Sequence, residues 1–168
     1  KMAEPILSKC DKKEFKFKGS YELQTPMGLI VLGGTDNQVF KKDAVIQIDF
    51  GGDDMYMNRC GSALPTVHKT LVSVAVDCGG DDVYKSSKNF SLGAGFLGLG
   101  FHLDLQGDDV YQQTSFSQGC GLIGVGCHVD RNGKDVYQGM DMVQGAGFFG
   151  SGICSDDKGN DTFRASQF

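Results

Sequence analysis

Acidic residues in a repeated eight-residue motif are the side chains of this sequence best suited to chemistry. The motif is D-x-x-G-x-D-x-[Y/F], and it occurs five times at intervals of 26 to 28 residues, at positions 49–56, 77–84, 104–111, 130–137 and 156–163. Carboxylate oxygens are ligands that Ca²⁺ prefers, and a pair of carboxylic acids can cleave a glycosidic bond. Because a catalytic pair is needed only once, five copies favour a structural role.

The segments around each motif predict the elements that position these acids. The four residues up to each first aspartate alternate in polarity, as in Ile46-Gln47-Ile48-Asp49, and this period of two predicts a strand with one buried face. The motif glycine predicts a turn, and the valine and tyrosine that follow predict a second short strand. Together these elements form one unit of a repeat.

Length, composition and period then predict the fold. The chain has 168 residues with 25 glycines and only 3 prolines, and it contains no linker-like run. A period near 26 is typical of stacked repeats, and it suits a coil of three short strands joined by glycine-rich corners. We therefore expect an all-β protein, a right-handed parallel β-helix (β-solenoid) with coils of about 26 residues.

The second half of the motif resembles the calcium-binding nonapeptides of RTX proteins. The resemblance covers about five residues per copy, as in Gly107-Asp108-Asp109-Val110-Tyr111, and the period differs from two nonapeptides. It implies calcium as a cofactor, held between coils of a parallel β-roll. The implied ligands are the second aspartates, Asp54, Asp82, Asp109, Asp135 and Asp161, with the first aspartates, Asp49, Asp77, Asp104, Asp130 and Asp156, as partners.

Electrostatics requires some compensation for these stacked acids. Unit charges about 4.8 Å apart repel by roughly 3 kcal/mol at an effective dielectric near 20. Calcium is one compensation, and turn capping is the other, in which each aspartate accepts N–H bonds from its own turn. The sequence leaves both open.

Two other rows could carry chemistry. His102, His128 and Cys154 each lie two residues before a first aspartate, and they predict either a surface ladder or, less favourably, a zinc site. The motif aromatics, four tyrosines and Phe163, predict a packed aromatic ladder rather than a sugar-binding platform. Because phenylalanine serves at one position, the hydroxyl is not required everywhere.

The glycines and cysteines are interpreted structurally. GxGxxG occurs three times, within residues 92–100, 118–126 and 144–152, without a helical run after it, so it predicts close backbone approaches rather than a nucleotide site. Six cysteines show no CxxC pair and predict buried small side chains, with a disulfide from Cys60 to Cys78 or Cys10 as the alternative.

The domain boundaries follow from where the repeat starts. Residues 1–28 are charged and lack it, so they predict an N-terminal cap over the open end of a solenoid that spans residues 29–168. Gly34, Asp36 and Phe40 match the motif with one residue inserted and predict a degenerate first coil. The ending Ser166-Gln167-Phe168 resembles the start of another segment, which predicts a solenoid truncated at this end.

The pattern as a whole resembles a loosely defined group of bacterial hypothetical proteins with repeated DxxGxDxY and QGxGxxGxG segments, and this resemblance implies fold and repeat extent only. We expect a non-enzymatic scaffold or interaction module, extracellular, at the cell surface or in the periplasm, that self-associates, forms filaments, or binds other surface proteins or polysaccharide. The alternative is a polysaccharide-active lyase or epimerase, or a carbohydrate-binding module, with Arg59, His68 and Lys69 in the irregular coil. A net charge of −5 disfavours nucleic acid, and no apolar run could span a membrane.

Overall fold

The computed structural model of the protein describes residues 17–166, so that Cys10 and most of the predicted cap lie outside the described residues. Within this part of the chain all regular structure is β, without a helix. Strands β1 to β16 are, in order, Ser20–Thr25, Gly28–Gly33, Val39–Phe40, Ile46–Asp49, Met55–Tyr56, Val72–Asp77, Val83–Lys85, Gly95–Phe96, Leu99–Asp104, Val110–Gln112, Gly121–Leu122, Val125–Asp130, Val136–Gly139, Gly147–Phe148, Ser151–Asp156 and Thr162–Ala165.

The strands form three sheets that run along a common axis. A seven-stranded sheet has the order β1-β2-β4-β6-β9-β12-β15, a six-stranded sheet has β3-β5-β7-β10-β13-β16, and a three-stranded sheet has β8-β11-β14. Every pairing is parallel except that of β1 with β2. The chain therefore alternates between the seven-stranded and six-stranded sheets, adds a strand to the three-stranded sheet in each coil from β8 onwards, and returns one strand further along, which confirms the predicted β-solenoid.

The pairing register places equivalent motif positions directly above one another. Asp49 pairs with Asp77, Asp77 with Asp104, and so on to Asp156, while Tyr56 pairs with Tyr84 in the six-stranded sheet. The register is kept although the coils between Asp49 and Asp156 differ in length by one or two residues, because a shift of one residue in the pairing would turn every side chain to the other face. Each motif residue thus forms a column parallel to the solenoid axis.

Glycine is required where the coils come closest together. A Cβ atom on Gly95 would lie 2.0 Å from the Val125 carbonyl oxygen, and one on Gly121 would lie 2.0 Å from the Ser151 oxygen. Both glycines belong to the GxGxxG segments, which form the three-stranded sheet and its corners. The predicted close approach of backbones is confirmed.

The seven-stranded sheet is polar inside and apolar outside. Its inward positions are buried and include Gln47, Asp49, Ser73, Ala75, Asp77, His102, Asp104, His128 and Asp130. Its outward positions form two columns that cross all seven strands, Leu23, Ile30, Ile46, Val74, Phe101, Cys127 and Ile153, and Tyr21, Leu32, Ile48, Val76, Leu103, Val129 and Ser155. We call these two columns the apolar face.

The prediction of a surface ladder for the histidine row is wrong, because His102 and His128 are fully buried.

The first coil and the N-terminal edge show how the repeat begins. Phe40 stacks on Tyr56 with ring centroids 4.9 Å apart, in the position that the degenerate copy predicts. The Asp36 carboxylate accepts a hydrogen bond of 2.7 Å from the Gly19 backbone N–H. Strand β1 covers the free edge of β2 in antiparallel pairing.

Residues 59–69 form the irregular connection that the sequence indicates. Arg59 pairs with the Asp43 carboxylate at 2.8 Å, and Lys88 contacts the same carboxylate at 2.9 Å. Cys60 in this connection is a buried thiol of the core, and residues 17–166 contain no disulfide, so a Cys60–Cys78 bridge is not formed. A bridge from Cys60 to Cys10 lies outside the described residues.

Candidate metal centre

Two strand ends in each coil bring the motif acids into the interior. The first aspartate is the last residue of β4, β6, β9, β12 or β15, and its side chain points inward because of the strand parity. The second aspartate immediately precedes β5, β7, β10, β13 or β16, and the aromatic follows two residues later. The motif glycine lies between them, so that the chain reverses over a few residues and directs both carboxylates to one side.

Four of the five first aspartates cap their own turns through one oxygen, whereas Asp156 Oδ1 is buried without a partner. The Oδ1 atoms of Asp49, Asp77 and Asp104 accept N–H bonds of 3.1, 2.8 and 3.2 Å from the residues two positions later. Asp130 accepts an equivalent bond of 3.0 Å from Asn132. For the first aspartates of these four coils the turn-capping interpretation is confirmed.

The second aspartates cap the preceding coil instead of their own turn. The Asp54 N–H donates to Asp82 Oδ1 at 2.6 Å, the Asp82 N–H to Asp109 Oδ1 at 2.7 Å, and the Asp109 N–H to Asp135 Oδ1 at 2.7 Å. The Asp135 N–H donates to Asp161 Oδ1 at 3.0 Å. For the second aspartates, the expectation that each caps its own turn is wrong. They connect coils that are 26 to 28 residues apart.

The motif aromatics form one stacked column beside the acids. Centroids of successive rings from Phe40 to Phe163 lie between 4.2 and 4.9 Å apart. The predicted packed aromatic ladder is confirmed, and the burial of the four tyrosines excludes them as a sugar-binding platform. The sequence reasoning missed what their hydroxyls do.

Tyrosine hydroxyls bridge carboxylates of successive coils. The Tyr84 hydroxyl lies 3.2 Å from Asp77 Oδ2 and 2.6 Å from Asp104 Oδ2, and the Tyr56 hydroxyl contacts Asp49 and Asp77 in the same way. A phenol has a single proton to donate. One contact of each pair is therefore a hydrogen bond only when a carboxyl group supplies a second proton.

The acids gather into four clusters along the axis. Each cluster contains three carboxylates whose facing oxygens lie within 4.8 Å of one another. The clusters are Asp49-Asp54-Asp77, Asp77-Asp82-Asp104, Asp104-Asp109-Asp130 and Asp130-Asp135-Asp156. They contain all the predicted ligands except Asp161, and such clusters could hold a metal ion.

Several oxygens in these clusters have no protein partner. The Oδ2 atoms of Asp54, Asp82 and Asp135 are buried and accept no hydrogen bond, and these three residues are at most 4% exposed. A buried carboxylate oxygen without a partner costs free energy unless a proton or a cation neutralises it. Three of the four clusters therefore contain a buried carboxylate oxygen that accepts no hydrogen bond, whereas Asp109 Oδ2 in the remaining cluster accepts from the Tyr111 hydroxyl.

Burial and mutual repulsion raise the pKa values of these acids. Burial, the neighbouring Asp54 carboxyl group and the charge of Asp77 raise the pKa of Asp49 to about 9. Burial and the charge of Asp77 raise the pKa of Asp82 to about 10, and burial raises the pKa of Asp109 to about 8. Without a cation, these three carboxyl groups are protonated at neutral pH, and Asp49 and Asp109 then supply the second proton for the contacts of the Tyr56 and Tyr111 hydroxyls.

Replacing Tyr111 by phenylalanine tests the contribution of the hydroxyls. The Tyr111 hydroxyl lies 2.5 Å from Asp130 Oδ2 and 3.2 Å from Asp109 Oδ2. Tyr111→Phe keeps the stacked ring and leaves these oxygens without a donor, so we expect a loss of about 1–3 kcal/mol in the free energy of unfolding, measured by chemical denaturation. Tyr21→Phe, at a side chain that is 66% exposed, is the control and should change it by less than about 0.5 kcal/mol. Equal effects of the two substitutions would contradict a role for the hydroxyl.

The histidine row lies inside the solenoid but outside the acid clusters. His102 Nδ1 and His128 Nδ1 are 2.9 Å apart, and both Nε2 atoms are buried without a partner. Burial lowers the pKa of His128 to about 3, so the imidazole is neutral. Among residues 17–166 this row does not combine with Cys154 into a cluster of three ligand atoms, so the predicted zinc geometry is not formed.

Arg59 and His68 of the enzyme alternative lie near enough to one another that the charge of Arg59 helps to lower the pKa of His68. Arg59 is held in its ion pair with Asp43, and His68 is buried with a pKa that burial lowers. Lys69 is exposed.

Fold and interior together define the class, a β-solenoid repeat protein with an internal column of carboxylates. Comparison with known proteins adds no narrower assignment, since no family model, curated protein or solved structure matches the chain. The described part of the chain also contains no helix with the length and apolarity needed to cross a membrane.

Proposed function

We propose that the chain is a non-enzymatic β-solenoid scaffold or interaction module. The observation that carries this proposal is the equal repetition of buried acid clusters in successive coils. Catalytic carboxylates must reach a substrate, whereas Asp49, Asp77 and Asp104 are at most 1% exposed. Their geometry supports a role in holding coils together.

We further propose that calcium replaces the protons that the carboxyl groups of the four acid clusters hold. The vacant Oδ2 atoms are hard oxygen donors, and each cluster offers three carboxylates. The Oδ1 atoms other than that of Asp156 are already engaged by backbone N–H groups, so a bound ion would complete the six to eight oxygens it prefers with tyrosine hydroxyls, carbonyls or retained water. Binding of Ca²⁺ would release the protons now held in the cluster.

The place of action and the partners belong to the same proposal. Calcium sites of extracellular modules work at about 10⁻⁴–10⁻³ M, which suits an extracellular, cell-surface or periplasmic protein. Partners there are further copies, as in a filament, other surface proteins or polysaccharide. A net charge of −5 argues against nucleic acid.

Thermal melting with calcium and with EGTA tests the calcium proposal. A ligand at 100 times its dissociation constant stabilises the folded state by about 2.7 kcal/mol, so we expect a clear rise of the melting temperature in excess calcium at neutral pH. Asp109→Asn should reduce this rise by the contribution of one of the four clusters, because it removes a ligand charge from the cluster of Asp104, Asp109 and Asp130 and keeps an oxygen that can accept the Asp82 N–H.

Asp108→Asn is the matched control for that experiment. Asp108 precedes Asp109 in sequence but is exposed, so its substitution should leave the calcium response unchanged. An unchanged melting temperature of the native protein in calcium would refute the calcium proposal but not the proposal that the protein is a scaffold. Turnover of a polysaccharide by the native protein, lost in Asp109→Asn, would refute the non-enzymatic function.

A further inference from the structure

The apolar face is an uncharged surface that crosses all seven strands of its sheet. Thirteen of its fourteen positions carry an apolar or aromatic side chain, and Ser155 is the exception. Exposure is highest towards its ends, at 66% for Tyr21, 62% for Leu23 and 49% for Ile153. A third column at the amino ends of the strands extends it with Val72, Leu99 and Val125, which are 39–44% exposed.

The size of this face matches one half of a specific interface. Seven strands about 4.8 Å apart extend for roughly 29 Å, and a strand of six residues is roughly 20 Å long, so the face covers about 500 Å². The largest apolar patch on a typical monomer covers about 300–600 Å² and often has a function, and this face lies in the upper part of that range. Two such faces in contact would bury about 1,000 Å², which reaches the lower limit of specific protein interfaces.

Charged residues at the border of the apolar face restrict the kind of partner that can bind there. The turns at the carboxyl ends of the strands carry an exposed acid row, Asp53, Asp81 and Asp108. The Asp81 N–H donates to Asp53 Oδ1 at 3.1 Å, and the Asp108 N–H donates to Asp81 Oδ1 at 2.9 Å, which keeps the row aligned with the axis. An acidic border disfavours anionic lipid surfaces and acidic polymers.

We propose that a second copy of this chain covers the apolar face and forms a side-by-side dimer. In a two-fold dimer whose symmetry axis runs parallel to the solenoid axis, the strands of the two copies are antiparallel. The acid row of one copy then lies beside Val72, Leu99 and Val125 of the other, and the two acid rows lie at opposite edges. Sheet-on-sheet packing at about 10 Å brings the apolar columns together.

Matched substitutions on two sheets test this dimer. Val76 lies on the apolar face, and Val110 occupies a comparable half-buried outward position on the six-stranded sheet. The native protein should sediment at twice the 18.1 kDa of one chain, with and without calcium. Val76→Lys places an unpaired charge in the interface and should raise the dissociation constant at least about 100-fold, whereas Val110→Lys should leave it unchanged.

A second pair of substitutions introduces an uncharged polar side chain, and it tests the dimer if the Val76→Lys variant fails to fold. Leu103→Gln on the apolar face should also weaken the dimer, and Val136→Gln on the six-stranded sheet should not. A monomeric native protein at micromolar concentrations would overturn the proposal. So would equal weakening by both members of either pair, or a native monomer that binds vesicles of neutral phosphatidylcholine through this face.

Discussion

In calcium-free buffer the protein should lose stability steadily as the pH is raised from about 5 to about 9. Acids whose pKa values are lowered in the folded state stabilise it above the unfolded pKa, but here the folded pKa values are raised, to about 9 for Asp49 and about 10 for Asp82. The folded state therefore holds more protons than the unfolded state. Its extra stability is complete below about pH 4 and is lost as the pH rises through the folded pKa values.

The size of this dependence follows from the number of retained protons. Each carboxyl group that is protonated only in the folded state contributes about 1.4 kcal/mol per pH unit, so several such groups give a steep slope. Denaturant unfolding at constant ionic strength with EGTA measures it. Asp82→Asn should reduce the slope, and Asp81→Asn, at the exposed neighbour, should preserve it. A stability maximum between about pH 7 and 8 would contradict protonation of the column.

Gly121→Ala should be among the most damaging substitutions in the chain. Its Cβ atom would lie 2.0 Å from the Ser151 carbonyl oxygen and 2.5 Å from the carbonyl carbon, both of them backbone atoms of the next coil. Relief requires separation of two coils that are held by parallel strand pairing. We expect a loss of at least about 3 kcal/mol in the free energy of unfolding, or failure to fold.

Gly19→Ala provides the comparison for this substitution. A Cβ atom on Gly19 would meet nothing within 4 Å, although its φ of 74° favours glycine. Its cost should be limited to about 1–2 kcal/mol of backbone strain. Thermal melting of the two variants separates steric contact from strain, and similar melting temperatures would show that the coils can move apart without difficulty.

Repetition made the architecture predictable. The interval near 26 residues and the strand pattern before each first aspartate predict parallel coils with stacked motif positions, and the pairing of Asp49 with Asp77 and of Tyr56 with Tyr84 has this register. Glycine spacing likewise predicts close backbone contact. The stacking of the coils and the close backbone contacts are determined by the number of residues per coil, and the repeat interval in the sequence gives that number directly.

The orientation of the strands could not be obtained from the same pattern. Alternation in β4 is compatible with either face inside, and the usual preference would bury Ile46 and Ile48. The structure buries Gln47 and Asp49 instead, because the acids belong to a network of tyrosine hydroxyls and turn amides inside the coil. The aromatic column has phenylalanine at both ends, Phe40 and Phe163, and tyrosine at every position between them. This contrast was the signal in the sequence that the internal hydroxyls have a role.

The bonds of the second aspartates were missed for a different reason. Turn-capping rules describe contacts within a few residues, whereas the acceptor of the Asp82 N–H is Asp109, 27 positions later. Only a three-dimensional register brings the two together. The same register assembles three-carboxylate clusters from acids that a linear motif shows as pairs.

The constant register has a consequence for the dimensions of the molecule. From β6 to β12, each strand of the seven-stranded sheet pairs only with its counterparts one coil before and one coil after. Insertion or deletion of one whole coil would preserve every remaining pairing and change the axial length by about 4.8 Å. The number of repeats thus sets the length of the molecule, and each added coil contributes one more acid cluster and one more strand to the apolar face.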